Sequence, residues 1–262
     1  MKKILVIVIL LNSLILHAQF EFVAEIKIDA DKFNIDILGN FYLLKNNIIQ
    51  KTDNELNNIA NYDTKKYGTL SLFDASNPFT ILLFYTEINK IVFLDNHLNE
   101  LRTAISLDNL NIYNSNILCN SIEGFWIFDM QNSNAILFDK DLSKRKTSPN
   151  LFQLIENDTP ILIKETNNFL ILQLDSGKMI ILDHFANYYK TININSKTNF
   201  DTYNDKIYTI KENKIFVYNL KTNMEVVYEN PINQDIINFK ISNSYIYFLT
   251  KNILIKYKIT NP

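Results

Sequence analysis

A pattern that returns about every forty residues limits this chain to a small set of folds. Six short apolar runs each close on a polar residue. These are Asp53 after "IIQKT", Asp95 after "IVFL", Asp139 after "AILF", Asp183 after "MIIL", Asn219 after "IFVY" and Lys258 after "LIKY". The spacings are 42, 44, 44, 36 and 39 residues. A period of this size indicates repeats that cannot bury their apolar faces alone and must stack on their neighbours.

The turn after each anchor has its own pattern. "DNELN", "DNHLN", "DKDLS" and "DHFAN" share Asp, two variable residues, Leu or Ala, then Asn or Ser. The Asp side chain can accept a hydrogen bond from the backbone N–H two residues on. The pattern predicts that the apolar fourth residue tucks under the hairpin. It also predicts that the Asn or Ser takes the left-handed corner. Glycine is scarce, at four residues, and Asn is abundant where turns should lie. Asn tolerates left-handed backbone well, so it reads as the stand-in for glycine rather than as a sugar-binding surface.

Upstream of each anchored hairpin lie two more strand candidates, such as "LSLFDAS" and "TILLFYT" in the second repeat. Phe (18) and Tyr (14) are plentiful, and strands favour both. Helical periodicity is nearly absent, with one turn of helix expected within 144–158. Four short strands per repeat, joined by polar turns, describe a propeller blade. The last repeat supplies "DIINFKIS", "YIYFLT" and "ILIKYKI" but no outer strand, whereas "FEFVAEIKI" (Phe20 to Ile28) precedes the first repeat as a spare. The expected fold is therefore all-β: a six-bladed β-propeller whose N-terminal strand closes the last blade.

"DILGNFYLL" (Asp36 to Leu44) resembles the D-x-x-G-N-x-Y strand-turn of NHL-type and sugar-lactonase-like six-bladed propellers. "IEGFWIFD" (Ile122 to Asp129) is a partial echo, with Glu123-Gly124 at the turn. The resemblance is to a fold family, and a fold does not fix a function. A single Trp, Trp126, excludes WD repeats and tryptophan-docked quinoprotein blades, and the lack of Gly-Gly pairs excludes kelch. There is no S-x-D-x-G-x-T-W box, which argues against a sialidase.

Residues 1–18 read as a secretory signal peptide: basic "MKK", an apolar run from Ile4 to Leu16, and small Ala18 at the cleavage point. The apolar run is shorter than the about 20 residues a spanning helix needs. Residues 19–262 then form the propeller domain, exported to the periplasm or secreted, with no transmembrane span after the leader is removed. Without Lys2 and Lys3 the chain has 24 basic residues against 28 acidic ones. That balance argues against a nucleic-acid partner, which requires a cationic face. "KRK" (Lys144 to Lys146) reads as a solvated outer strand. Lone Cys119 reads as buried and inert.

Two classes of function follow. The first is a binding or scaffold module of the cell envelope, taking a protein or glycan partner and no cofactor. It rests on the leader, the ring and the missing catalytic signatures: no G-x-S-x-G elbow and no phosphate-binding glycine loop. A component of an outer-membrane assembly machine is a special case. The second is a metal-dependent hydrolase, which the lactonase resemblance implies. It would need one divalent cation of the calcium type, held by oxygen ligands at the channel mouth. The candidate ligands are Asp36, Asp74, Asn116, Glu165, Asp201 and Asn238, one from each repeat. His97 and His184 fall in turns between outer strands, too far from the axis to act there as a base.

Overall fold

The computed structural model describes residues 19–194 and 199–260. The leader assigned to residues 1–18 lies outside them. Among the described residues no helix is long and apolar enough to cross a membrane.

Six four-stranded antiparallel sheets form the blades of a propeller. Blade one holds β2 (Lys32–Ile35), β3 (Phe41–Lys45), β4 (Ile48–Thr52) and β5 (Asn58–Asp63). Blade two holds β6 (Leu72–Asp74), β7 (Ile81–Tyr85), β8 (Lys90–Leu94) and β9 (Ile105–Ser106). Blade three holds β10 (Leu118–Asn120), β11 (Gly124–Asp129), β12 (Asn134–Asp139) and β13 (Lys144–Thr147). Blade four holds β14 (Pro160–Glu165), β15 (Phe169–Leu174), β16 (Lys178–Asp183) and β17 (Tyr188–Asn193). Blade five holds β18 (Phe200–Tyr203), β19 (Lys206–Lys211), β20 (Lys214–Asn219) and β21 (Glu225–Glu229). Blade six holds β22 (Asn238–Ser242), β23 (Tyr245–Leu249) and β24 (Ile253–Ile259), with β1 (Phe20–Lys27) as its outer strand.

That outer strand is the expected clasp. β1 runs antiparallel to β24, from Phe20 opposite Ile259 to Lys27 opposite Ile253, with a bulge between Phe22 and Ala24. Two further bonds pin its ends: Ile28 N–H donates to the Asn252 carbonyl, and Thr260 N–H to that of Gln19, both at 3.0 Å. The pairing covers an edge that blade six would otherwise leave bare.

Burial follows the position of a strand within its blade. β7, a second strand, is buried at all five residues, because it is sandwiched between neighbouring blades. Outer strands β5 and β17 have no buried residue. Six separate apolar clusters fill the six clefts between blades. Tyr42 and Ile81 share one; Phe33, Phe41 and Leu249 share the cleft that joins blade six to blade one. Each cleft supplies a local core, as expected for stacked repeats. The helical turn expected within 144–158 is α1 (Phe152–Ile155). β13 carries the "KRK" run as an outer strand, with Arg145 paired to Asp139 and Lys146 to Glu123.

The hairpin turns depart from expectation in one respect. Asp53, Asp95, Asp139 and Asp183 each accept from the backbone N–H two residues on, at 2.7–2.9 Å. They also accept from the N–H four residues on, at 2.8–2.9 Å. The left-handed residue, however, is the apolar one: Leu56, Leu98, Leu142 and Ala186 have φ of 62° to 70°. The fifth residue is not at the corner, because its backbone N–H must point back to the Asp. A left-handed corner costs an L-residue roughly 1–2 kcal/mol. Burial of Leu98 and Ala186 beneath the hairpin offsets that cost. Elsewhere Asn takes most of the left-handed positions, at Asn46, Asn47, Asn89, Asn111, Asn204, Asn213, Asn223 and Asn243.

"DILGN" is the same device with glycine at the corner. Gly39 has φ of 88°, and Asp36 accepts from the N–H groups of Leu38 and Asn40 at 2.9 Å. The echo at Gly124 is different. A Cβ there would lie 2.0 Å from the Phe138 carbonyl oxygen, so close strand packing requires glycine at that site.

Candidate functional site

The six inner strands β2, β6, β10, β14, β18 and β22 surround a central channel. At the end where each turns into its second strand, a cavity of about 370 Å³ opens. Its wall includes Ile37, Ser76, Asn120, Asn167, Asn204 and Asn243, one from each blade.

Polar groups tie each blade to the next around this channel. Asn34 Nδ2 donates to the Phe73 carbonyl at 3.0 Å. Asp74 Oδ2 accepts the Asn120 N–H at 2.9 Å. Trp126 Nε1 donates to Glu165 Oε1 at 2.7 Å. Lys164 Nζ pairs with Asp201 Oδ1. Asp201 Oδ2 accepts the Ile241 N–H at 2.9 Å. Ser242 Oγ donates to the Asp36 carbonyl at 3.1 Å and closes the circle. Backbone donors and acceptors at the ends of the short inner strands are thereby satisfied.

These ties account for most of the proposed ligands. Asp74, Glu165 and Asp201 line the cavity, as expected. Asp36 is fully buried and committed to its own turn; Asn40 Nδ2 and the Tyr42 hydroxyl donate to its Oδ2 at 2.8 and 3.1 Å. Asn116 is exposed in the loop before β10. Asn238 opens β22 at the opposite end of its strand, where its Oδ1 accepts the Phe239 N–H at 2.8 Å. The structure thus brings three of the six to one cavity. Among the described residues no cluster of three or more His, Cys, Asp or Glu side chains is placed to hold a metal ion. The donor set does not suit a calcium-type cation, which takes 6–8 oxygen ligands. The carboxylates already bind blade to blade, and Lys164 and Lys240 bring positive charge among them.

The lysines are what sequence reasoning missed. Burial works against the Asp201 carboxylate, yet Lys164, Lys240 and the Ile241 N–H outweigh it and hold its pKa below the ordinary Asp value. Thr202 N–H also donates to Oδ1, at 2.8 Å. Lys240 is the odd member. Among the described residues its ammonium has no hydrogen-bond or ion-pair partner. Burial, and then Lys164, push its pKa down to about 8, against the pull of Asp201 and Asp74. Lys240 lines the cavity together with Lys164, Asp201 and Asp74 from blades four, five and two. Burial pushes the Glu165 carboxyl up, although Trp126 donates to it.

The rim around the mouth is divided. The turns of blades one to three carry Ile37, Leu38, Phe79 and Ile122, exposed by 65, 65, 66 and 86%. The turns of blades four to six present Asn167, Asn204 and Asn243. His97 and His184 sit exposed on turns between third and fourth strands, away from this site. Cys119 is buried, and burial pushes its thiol well above the ordinary range.

No protein-family model matches the chain, and no curated protein matches it in sequence. Solved structures share its fold. Streptogramin B lyase aligns at 14% identity and a TM-score of 0.60, over 91% of this chain and 87% of that one. BBS1N, solved in complex with ARL6DN, aligns at 8% identity and 0.62, over 93% and 98%. BamB from Moraxella catarrhalis aligns at 9% identity and 0.52, over 91% and 99%. At such identities the likeness is one of fold: a six-bladed β-propeller whose structural neighbours include a lyase and proteins of other kinds.

Proposed function

We propose that this protein is an exported β-propeller that acts as a binding or scaffold module in the cell envelope, with a protein as its partner. One observation carries the reading: Ile37, Leu38, Phe79 and Ile122 stand exposed on three consecutive turns at the channel mouth. Exposed apolar side chains gathered at one mouth mark an interaction site better than the same residues scattered singly. Secondary support comes from the channel carboxylates. They tie one blade to the next around the ring. BBS1N gives an instance of this fold in a complex with another protein. No cofactor is part of the proposal. An outer-membrane assembly machine is one setting for such a module.

Affinity isolation tests it. The tagged mature chain is incubated with envelope extract, and bound proteins are identified by mass spectrometry. A protein retained by the native chain and lost with Phe79→Ser plus Ile122→Ser is expected. If nothing is retained, the scaffold reading fails. Export is checked separately: the mature protein recovered from the host envelope or medium should begin at Gln19.

A further inference from the structure

We propose that the channel mouth takes a carboxylate from the partner protein, on an acidic side chain or a chain terminus, and seats it on the Lys240 ammonium while apolar neighbours lie on the rim. This rests on the scaffold reading above and names the chemistry of its partner.

Three observations carry it. First, the carboxylates near Lys240 already have other partners. Asp201 is engaged by Lys164 and two backbone N–H groups. Asp74 accepts from the N–H groups of Ser76 and Asn120, both at 2.9 Å. Among the described residues Lys240 makes no hydrogen bond or ion pair, although Asp201 and Asp74 lie near enough to pull on its charge. Lys240 is half-buried in the cavity wall, where an anion meeting its ammonium gains more than it would at the open surface. Burial, and then the charge of Lys164, push the Lys240 pKa down, and an anion would offset both. Second, the cavity is small. Its volume of about 370 Å³ lies at the lower end of the roughly 300–1,000 Å³ of ligand pockets, enough for a side chain or two. Third, the apolar surface continues beyond it: Leu38, Phe79 and Ile122 stand outside the cavity wall. A ligand that meets both the ammonium and the rim must be larger than the cavity. A polypeptide segment has that form, with one side chain inserted and its neighbours spread over the turns.

The test uses a zero-length carbodiimide, which joins a carboxylate to an amine only where the two are in contact. Tagged mature protein in envelope extract is treated with the reagent, isolated and digested. Peptides linked to Lys240 are then identified. The expected product joins Lys240 to an Asp, Glu or C-terminus of the protein that co-isolates without reagent. Lys240→Met should reduce capture of that protein at least ten-fold, and Lys240→Arg, which keeps the charge, should restore most of it. Lys240→Met should keep the circular-dichroism spectrum and the cooperative melt of the native chain, which separates lost binding from lost folding. If the partner is captured equally by Lys240→Met, or links elsewhere and never to Lys240, the proposal is overturned while the scaffold reading stands. Capture of a polysaccharide in place of a protein overturns the proposal. Capture of nothing overturns both.

Discussion

The two halves of the channel rim solve one structural problem with different chemistry. In blades five and six a two-residue turn suffices: Asn204-Asp205 and Asn243-Ser244, with φ from 50° to 66°. In blades one to three the corresponding turns carry exposed Ile37, Leu38, Phe79 and Ile122. A hairpin needs only residues that accept positive φ, and Asn meets that need at little cost. The apolar turns add nothing the ring requires and leave hydrocarbon in water. The difference teaches that the two halves carry different burdens: the polar half and the channel ties hold the ring, and the apolar half bears the surface proposed above for a partner.

Four perturbations break or sharpen that division. Deleting Phe20–Ile28 from the mature chain should have the largest effect, because it uncovers β24 and opens the ring. We expect aggregation or a melting point lower by roughly 10 °C, several kcal/mol at 2–4 °C per kcal/mol for a chain this size. An unchanged melting point would show that the clasp is not what holds both halves together.

Asp201→Asn comes next. It leaves Lys164 without its partner and should cost about 3 kcal/mol in urea unfolding. Because the folded pKa of Asp201 is depressed, its contribution is present above the ordinary unfolded value. It is lost as pH falls through the folded one. The gap between native and variant stability should therefore close in acid and persist at neutral pH. A gap that stays constant from pH 7 to pH 2 would exclude the charge as its origin.

Asn204→Ala, in the polar half, should cost about 1 kcal/mol from left-handed strain, and Asn204→Gly should cost nothing. Equal losses from both would mean that the Asn side chain, and not the backbone, is what counts. Phe79→Ser and Ile122→Ser should change stability least, within about 0.5 kcal/mol, while reducing partner capture. A large fall in their melting temperatures would place the apolar half within the fold and remove the contrast.

The repeat, the blade and the clasp were legible because they are local or periodic. Apolar runs, turn residues and one spare strand can be counted along the chain. The corner position was misplaced at Leu56, Leu98, Leu142 and Ala186, where Asp-anchored backbone bonds outweigh side-chain preference. The channel was harder to read. Lys164 meets Asp201 across 37 residues and Trp126 meets Glu165 across 39. These separations are one blade long, so the period that aligned the anchors could also have paired inner-strand residues. Among the described residues Lys240 makes no hydrogen bond or ion pair, and no pattern in sequence marks such a side chain. Asn116 and Asn238 were chosen as one candidate per repeat, and the repeat does not say that Asn116 falls in a loop or that Asn238 opens its strand at the far end.

Fastening blade six with β1 has a temporal consequence. More than 200 residues separate the strands that meet there. At the roughly 5–20 residues per second of synthesis, that distance amounts to about ten seconds or more of waiting. Through that interval Phe20–Lys27 offers an unpaired β-edge to whatever is nearby, and long-range pairing of this kind is slow to form even afterwards. Of the described strands the one made first pairs with the one made last, so the interval of exposure to misassembly follows from the order of synthesis.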